Sequence, residues 1–211
     1  MKAKSVIRVM LVDDHPALRK GLAALVQSEP GMAVVLETGD GREAVEQFRK
    51  LQPDVVLMDL RLPGLSGVEA IMEIRKEFSD ARFIVVTTYE TDEDIYRAIQ
   101  AGAQSYLLKD SSGDEIIRTI RTVHAGGVHL PEKMARRLSE RLKRGNLDPR
   151  EMTLLELLIK GRSNKEMAAA LSLPETTVKF YLRELFMKLG VQDRTEAVVR
   201  ALRHGIVHLE E

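Results

Sequence analysis

The chain of 211 residues contains no cysteine. Disulfide bonds, thiolate metal sites and cysteine nucleophiles are therefore excluded. Long hydrophobic runs are also missing near the start of the chain, because apolar residues 9–12 are followed at once by Asp13, Asp14 and His15. Such an interrupted run is typical of neither a signal peptide nor a membrane span, and we expect a cytoplasmic protein without a membrane partner.

Net charge is also lacking, since 32 basic residues balance 32 acidic ones, but the charges are unevenly distributed. Residues 1–131 hold 16 basic against 20 acidic residues, residues 132–146 hold 6 against 2, and residues 147–211 hold 10 of each. A basic segment between an acidic front and a neutral back predicts two domains, 1–128 and 147–211, with a linker at 129–146. The alternative is that the basic segment is only the solvated face of a helix.

The apolar residues 55–58 end on a single carboxylate, Asp59, and a loop with Pro63, Gly64 and Gly67 follows. A short apolar run bounded by turn residues is typical of a strand that is buried on both faces of a parallel sheet. Asp59 would then lie at the carboxyl end of the strand, which is the edge where open α/β sheets bind their ligands.

Similar runs recur along the front of the chain. Strands are predicted at 7–12, 33–37, 55–58, 83–87 and 105–109. They alternate with helices that are predicted from Pro16 to Val26 and at 42–51, 68–78, 95–102 and 114–124. This alternation with short loops predicts an α/β domain, a doubly wound five-stranded parallel sheet with right-handed crossovers.

Polar residues end or directly follow several predicted strands: Asp13, Asp14, Asp59, Thr87 and Lys109. If the strands are neighbours, the three carboxylates meet and cannot all stay ionised without compensation. Carboxylate and carbonyl oxygens indicate Mg²⁺ better than zinc. A carboxylate beside a cation, a hydroxyl and an ammonium group has the parts that phosphoryl transfer to Asp59 requires.

Each of these residues also has a purely structural interpretation. Lys109 could be a surface lysine, and Thr87 could cap a strand; the combination favours the functional interpretation. A Mg²⁺-dependent phosphohydrolase is the enzymatic alternative. Such enzymes generally need a second acid two residues after the nucleophile, and Arg61 occupies that position here.

From Leu147 the pattern becomes purely helical, with helices predicted at 148–161, 163–173, 175–190 and 193–205. A tight turn separates the second helix from the third, and the third carries Lys179 and Arg183 on one side. This arrangement predicts a helix-turn-helix whose second helix enters the major groove. The alternative is a small all-α bundle that binds protein, which the zero net charge also permits.

Residues 7–127 resemble the receiver domain of two-component response regulators, on VDDHP, LMDLRLPGLSG, VVTTYE and SYLLKD. The resemblance implies a flavodoxin-like strand order 2-1-3-4-5, a Mg²⁺ cofactor and Asp59 as phosphoacceptor. The implied metal ligands are Asp13, Asp14, Asp59 and the backbone carbonyl of Arg61. The implied switch and phosphate-binding residues are Thr87, Thr88, Tyr106 and Lys109, and Arg61 and Tyr89 occupy positions that modulate dephosphorylation.

Residues 147–207 resemble the LuxR-type module of NarL/FixJ-type regulators, on LDPRE, GRSNKEMAAAL, TTVKFYLRELFMKLGVQDRTEAV and HGIV. The resemblance implies a four-helix helix-turn-helix domain. The implied DNA-binding residues are Ser163, Asn164, Lys165, Thr177, Lys179, Phe180 and Arg183. The final helix would supply the dimer contact, through Ala197, Val198 and Ala201.

The sequence departs from these families at several positions. Asp110 replaces a frequent proline, Tyr181 a usual histidine and Glu184 a usual asparagine, while Leu182 and Met187 are apolar where polar residues are usual. One interpretation is altered base readout, with Phe180 against a thymine methyl and Glu184 accepting from cytosine. The other is that this face packs on the receiver or on a partner protein.

Together the two resemblances imply a DNA-binding transcriptional regulator that a sensor histidine kinase phosphorylates on Asp59. Phosphorylation would promote a homodimer that binds paired half-sites on double-stranded DNA. The only reactions expected of the chain itself are Mg²⁺-dependent phosphorylation and dephosphorylation at Asp59. The alternatives are a helix-turn-helix that serves as a protein-docking module, and a regulator controlled without phosphorylation.

Overall fold

The computed structural model describes residues 6–143 and 145–207. Residues 1–5, 144 and 208–211, which belong to the predicted domains and linker, lie outside the described residues. In the front of the chain, five strands alternate with five helices, as predicted. The elements are β1 Ile7–Val12, α1 Pro16–Ser28, β2 Met32–Thr38, α2 Gly41–Leu51, β3 Val55–Met58, α3 Gly67–Glu77, β4 Phe83–Thr87, α4 Asp92–Ala101, β5 Ser105–Leu108 and α5 Gly113–His124.

The sheet has the order β2-β1-β3-β4-β5 and its paired strands are parallel, which confirms the predicted fold. Every residue of β3 and β4 is buried, because helices cover both faces of the sheet. This burial explains why both strands are continuous apolar runs in the sequence.

The register of the sheet aligns the strand ends. Val12 is paired with Met58, so Asp13 and Asp59 are the next residues on neighbouring strands. The backbone N–H of Asp59 donates to the carbonyl of Val12 at 2.8 Å, and the N–H of Lys109 donates to that of Thr87 at 2.9 Å. The polar residues that follow the strands are thus fixed to one sheet edge by backbone hydrogen bonds.

The observed bounds differ from the predicted ones by a few residues. The second strand is one residue longer at each end, and β5 stops at Leu108, so Lys109 lies immediately beyond it. Helix α4 begins at Asp92, earlier than predicted. Helices α2, α3 and α5 each begin on a glycine, one residue before the predicted start.

The back of the chain is helical within the described residues. Its elements are α6 Glu132–Lys143, α7 Pro149–Ile159, α8 Asn164–Leu171, α9 Glu175–Leu189 and α10 Arg194–Arg203. The chain divides into two compact units, one that contains residues 94–136 and almost all of the chain before them, and one that contains the chain from Arg137 together with residues 91–93. The main division therefore falls within α6, inside the segment that we predicted to be the linker. The domain boundaries 128 and 147 therefore stay a prediction. Among the described residues, no helix is both long and apolar enough to cross a membrane.

Helices α7 to α10 have their own hydrophobic core. Leu154 and Leu158 of α7 pack there with Met167 of α8. Side chains also close the N-termini of these helices, because Asp148 and Ser163 each form a capping box with the glutamate three residues later. These caps fix the first turns of α7 and α8.

Gly67 starts α3 at a point where that helix nearly touches the backbone of the phosphoacceptor candidate. A Cβ atom on Gly67 would lie 1.9 Å from the carbonyl oxygen of Asp59, which is far inside van der Waals contact. The N–H of Gly67 also donates to the carbonyl of Leu60 at 2.9 Å. Only glycine lets α3 pack this closely behind Asp59.

We therefore expect Gly67→Ala to destabilise the protein by about 1–3 kcal/mol, the usual range for overpacking, and to impair phosphorylation by displacing Asp59. Urea unfolding measures the first effect and labelling by acetyl phosphate the second. Gly21→Ala is the control, because Gly21 is exposed in α1 and its Cβ would meet no atom within 4 Å. This control should be neutral or slightly stabilising; equal stability of both variants would contradict the argument.

Candidate functional site

Carboxylates from two neighbouring strands meet at the carboxyl edge of the sheet. Asp13 and Asp59 are each 3% exposed, whereas Asp14 is exposed. One carboxylate oxygen of each residue and a ring nitrogen of His15 all lie within 4.8 Å of one another. The predicted convergence of Asp13, Asp14 and Asp59 is therefore confirmed.

Lys109 neutralises part of this negative charge. Its Nζ lies 2.7 Å from Oδ2 of Asp59 and 2.8 Å from Oδ2 of Asp13. Burial alone would lower the pKa of Lys109, but the hydrogen bonds and charges of the two carboxylates outweigh burial, and the pKa is raised above its usual value. Lys109 is therefore an ammonium group at neutral pH, and it is not a surface lysine.

The remaining oxygens of the two buried carboxylates accept backbone hydrogen bonds. Oδ1 of Asp59 accepts from the N–H of Leu60, and Oδ1 of Asp13 accepts from the N–H of His15, both at 2.7 Å. These bonds fix the direction of each carboxylate. Oδ2 of Asp59 is the atom that faces the ammonium group of Lys109.

His15 belongs to this site although the sequence analysis gave it no role. Its Nδ1 lies 2.6 Å from Oδ1 of Asp14 and 3.2 Å from Nζ of Lys109. The signal that could have revealed it is its position directly after Asp13 and Asp14, at the end of β1. Because His15 bonds Asp14, it holds the exposed carboxylate beside the buried ones.

The cluster has the donors that a divalent cation requires. Three carboxylates provide hard oxygen ligands, and one of them is exposed, so that water can complete the coordination. A single ammonium group does not balance three carboxylates, so a cation would relieve repulsion. The predicted ligand Arg61 lies two residues beyond Asp59 in the same loop, and its carbonyl stays a predicted ligand.

The predicted switch residues lie in β4 and β5 or directly after them. Thr87 is fully buried, and its hydroxyl accepts from the N–H of Tyr89 at 3.4 Å; Thr88 is exposed. Tyr106 is also fully buried, and its hydroxyl donates to the carbonyl of Tyr89 at 2.8 Å. Tyr106 is thus tied to the loop that begins at Thr87.

A cation–π contact joins the two loops beside the carboxylates. The guanidinium carbon of Arg61 lies 4.7 Å from the ring centre of Tyr89. Arg61 follows Asp59 by two residues, and Tyr89 follows Thr87 by two residues. The contact therefore links the loop after β3 to the loop after β4.

In the helical unit, one side of α9 is buried in the core and the other, outer side is exposed to solvent. Val178, Leu182 and Leu185 are buried in the core, so the unusual apolar residue Leu182 has a structural role. Phe180 is 58% exposed on the outer side. The predicted DNA-binding residues Lys165, Lys179 and Arg183 are exposed as well, and Thr177 is half-buried.

A groove of about 560 Å³ lies along α9. Asn164, Lys179 and Arg183, all predicted to bind DNA, line this groove together with Arg194. The guanidinium of Arg194 donates to the carbonyl of Arg162 at 2.8 Å, which fixes it there. The hydroxyl of Ser163, in contrast, is committed to the capping box of α8.

The unusual Tyr181 faces α7. Its ring lies 4.9 Å from the guanidinium carbon of Arg150, and its hydroxyl accepts from Arg150 at 2.7 Å. Lys188 and Glu151 form an ion pair between the same two helices at 2.6 Å. Tyr181, which replaces a usual histidine, therefore holds α7 and α9 together within the helical unit.

The predicted dimer contact needs correction at two of its three residues. Ala197 and Ala201 are fully buried in the core of the helical unit, so they cannot contact a second chain. Val198 is half-buried, and Val199, which the prediction omitted, is 49% exposed. The sequence pattern identified an apolar face of α10, but that face packs on α7 and α9.

The first unit thus has the fold and carboxylate cluster of a receiver, and the second unit is a helix-turn-helix. Residues 9–121 match the response regulator receiver domain, and residues 145–201 match the bacterial regulatory proteins of the luxR family. The chain therefore belongs to the two-component response regulators of the NarL/FixJ type, which are transcriptional regulators rather than classical enzymes.

Similar proteins span almost the whole chain. The transcriptional regulatory protein LiaR of Bacillus subtilis is 40% identical, over 96% of this chain and 100% of its own length. The crystal structure of ChrA, the response regulator of a heme-sensing two-component system, is 34% identical with a TM-score of 0.58, over 97% of this chain and 100% of that chain. RcsB of Salmonella typhimurium shares the fold at 23% identity, with a TM-score of 0.74 over 92% and 98% of the two chains.

We expect Lys109→Ala to lower the unfolding free energy by about 3 kcal/mol in metal-free buffer, because two buried carboxylates lose the ammonium group that pairs with them. Added Mg²⁺ should restore part of this loss by neutralising them, and thermal melts with and without Mg²⁺ measure both effects. Lys76→Ala is the control, since Lys76 pairs with Glu73 on the surface; it should change nothing measurable. An unchanged melting temperature in Lys109→Ala would contradict this account.

The contact between Arg61 and Tyr89 predicts an effect on the lifetime of an aspartyl phosphate. Arg61→Ala and Tyr89→Ala should each accelerate dephosphorylation about twofold to fivefold, because an exposed cation–π contact contributes about 0.5–1 kcal/mol to holding the two loops together. The double variant should match either single variant. Tyr89→Phe keeps the aromatic ring and should keep the wild-type rate of dephosphorylation. Faster dephosphorylation in Tyr89→Phe would contradict a role for the cation–π contact.

Proposed function

We propose that this protein is a phosphorylation-controlled DNA-binding transcriptional regulator in which Asp59 accepts a phosphoryl group from a sensor histidine kinase. The observation that carries the proposal is the placement of Asp59. Its carboxylate is buried at the carboxyl edge of the sheet, one oxygen is fixed by a backbone N–H, and the other faces Lys109. Membership of the response regulator family supports the same role.

The residues of the site suit phosphoryl transfer. Oδ2 of Asp59 attacks phosphorus, the phosphorus–nitrogen bond of the donor phosphohistidine breaks, and the imidazole leaves with the electron pair. The ammonium of Lys109, already 2.7 Å from Oδ2, binds a phosphoryl oxygen, and the hydroxyl of Thr87 at the end of the neighbouring strand binds another.

The cation we propose for this site is Mg²⁺, held by Asp13, Asp14, Asp59 and the carbonyl of Arg61. Its chemistry would be to neutralise the carboxylates and the transferred phosphoryl group. Hard oxygen donors with an exposed side suit Mg²⁺ better than zinc. The protein's own residues supply the nucleophile, the orienting hydrogen bonds and one positive charge.

Phosphorylation of Asp59 would change the receiver through buried side chains near the site. Phosphorylation gives Thr87 a new hydrogen-bond partner, and the hydroxyl of Thr87 currently accepts from the N–H of Tyr89. The carbonyl of Tyr89 in turn accepts from Tyr106. A shift of Thr87 therefore changes the environment of a fully buried aromatic side chain, which biases the receiver between two states.

The output we propose is binding to paired half-sites on double-stranded DNA by a homodimer. Lys179 and Arg183 are exposed on α9, where they can reach phosphates and base edges. The dimer contact is assigned to the exposed side of α10 around Val199, since Ala197 and Ala201 are buried. Both partners, the kinase and DNA, act in the cytoplasm, where we place the protein.

A protein-docking role for the helix-turn-helix is the second candidate. It is favoured by the exposure of two large apolar side chains on α9, Phe180 and Met187, each 58% exposed. The phosphohydrolase alternative has less support, because the positively charged residue Arg61 occupies the position where a second acid is needed.

The test is DNA binding by the full chain before and after phosphorylation with acetyl phosphate and Mg²⁺. We expect phosphorylation to raise DNA affinity, and affinity to fall steeply with salt. Lys179→Ala and Arg183→Ala should each reduce the slope of log affinity against log salt by about one where the side chain contacts a phosphate. Lys50→Ala, an exposed lysine in α2, is the matched control. Affinity independent of salt and of phosphorylation would contradict the proposal.

A further inference from the structure

Phe180 is an exposed aromatic residue on the outer side of α9. It is 58% exposed, whereas Val178 and Leu182, two residues away on either side, are buried in the core. Its exposure cannot be explained by packing inside the helical unit. A large apolar side chain at this position therefore calls for a partner outside the unit.

The neighbours of Phe180 indicate which partner it meets. Arg183 and Glu184 lie three and four residues further along α9, on the same face as Phe180, and Lys179 directly precedes it; all three side chains are exposed. The ion pair of Lys179 with Glu175, at 3.0 Å on the surface, is weak enough to be exchanged for a phosphate. The groove along the same helix is lined by the basic residues Lys179, Arg183 and Arg194. A phenyl ring beside such a basic groove on the predicted recognition helix fits the major groove of DNA better than an apolar protein surface.

The ring is also restrained on one side. Its centre lies 5.8 Å from the ring centre of Tyr181 in an edge-to-face arrangement. Tyr181 is itself held by the hydrogen bond from Arg150. This support limits the directions in which Phe180 can turn, and a side chain that is already ordered loses less entropy on binding.

The chemistry of the phenyl ring then limits what it can recognise. It has no hydrogen-bonding atom, so it cannot read the donors and acceptors of base edges. The apolar feature that a base presents in the major groove is the 5-methyl group of thymine. We infer that Phe180 is a specificity-determining residue that selects thymine over cytosine at one position of each DNA half-site.

This inference rests on the proposed function and deepens it. Arg183 and Phe180 divide the readout between them, because a guanidinium can bind guanine through two hydrogen bonds and the phenyl ring can contact only the methyl group. Loss of the methyl group should therefore affect the contact of Phe180 and leave that of Arg183 unchanged.

The experiment starts with the full chain, treated with acetyl phosphate and Mg²⁺, and duplexes selected by it from a random pool. Each thymine of the selected site is then replaced by deoxyuridine, which removes only the methyl group. We expect one position in each half-site to lose affinity about fourfold, the value of burying one methyl group, and both replacements together to lose about fifteenfold.

Variants at Phe180 connect that loss to the residue. Phe180→Ser should bind thymine and deoxyuridine duplexes equally, whereas Phe180→Leu, which remains apolar, should keep the preference. Because Phe180 is exposed, both variants should melt like the wild type. Arg183→Ala is the second control, and it should keep the discrimination against deoxyuridine while binding more weakly.

The outcomes separate the inference from the function on which it rests. If the wild type selects no DNA, both are overturned. If DNA is selected but deoxyuridine binds as well as thymine, or Phe180→Ser keeps the preference, the thymine contact is overturned and DNA binding stands. If Phe180→Ser instead loses a protein partner without any change in DNA selectivity, the exposed ring serves protein docking and the inference is wrong.

Discussion

The receiver depends on one electrostatic constraint, the burial of two carboxylates at the end of the sheet. Asp13 and Asp59 are almost completely excluded from solvent, and one ammonium group, that of Lys109, contacts both. With Asp14 beside them, the negative charge exceeds the positive charge that the neighbouring side chains supply. A bound cation would relieve this imbalance.

The fold meets this constraint through backbone geometry. Paired registers place Asp13 directly beside Asp59, and the absence of a side chain on Gly67 lets α3 begin close behind Asp59. Thr87 ends β4 at the same edge, and the loop after β3 carries Arg61. Arg61, two residues beyond Asp59, stacks on Tyr89, and the carbonyl of Tyr89 accepts from the buried Tyr106.

Much of this could be predicted because buried parallel strands are continuous apolar runs, and because the residue after each run must lie at the same sheet edge. The contacts between distant segments could not be predicted. Neither the stacking of Arg61 on Tyr89 nor that of Arg150 on Tyr181 has a local sequence signal. The dimer residues failed for a related reason: a helical apolar pattern identifies the buried face of α10, but it does not tell whether the partner is the same chain or a second copy.

The central claim is that Asp59 is the phosphoacceptor, and the most direct test is the intact mass of the protein after incubation with acetyl phosphate and Mg²⁺. We expect a single phosphoryl adduct of about 80 Da on the wild type, because one carboxylate accepts one phosphoryl group. We expect no adduct on Asp59→Asn. Asp54→Asn makes the same chemical change at the opposite end of β3, where the carboxylate accepts from the N–H of Arg8, and it should be labelled like the wild type. An unlabelled wild type, or an adduct that persists in Asp59→Asn, would contradict the account.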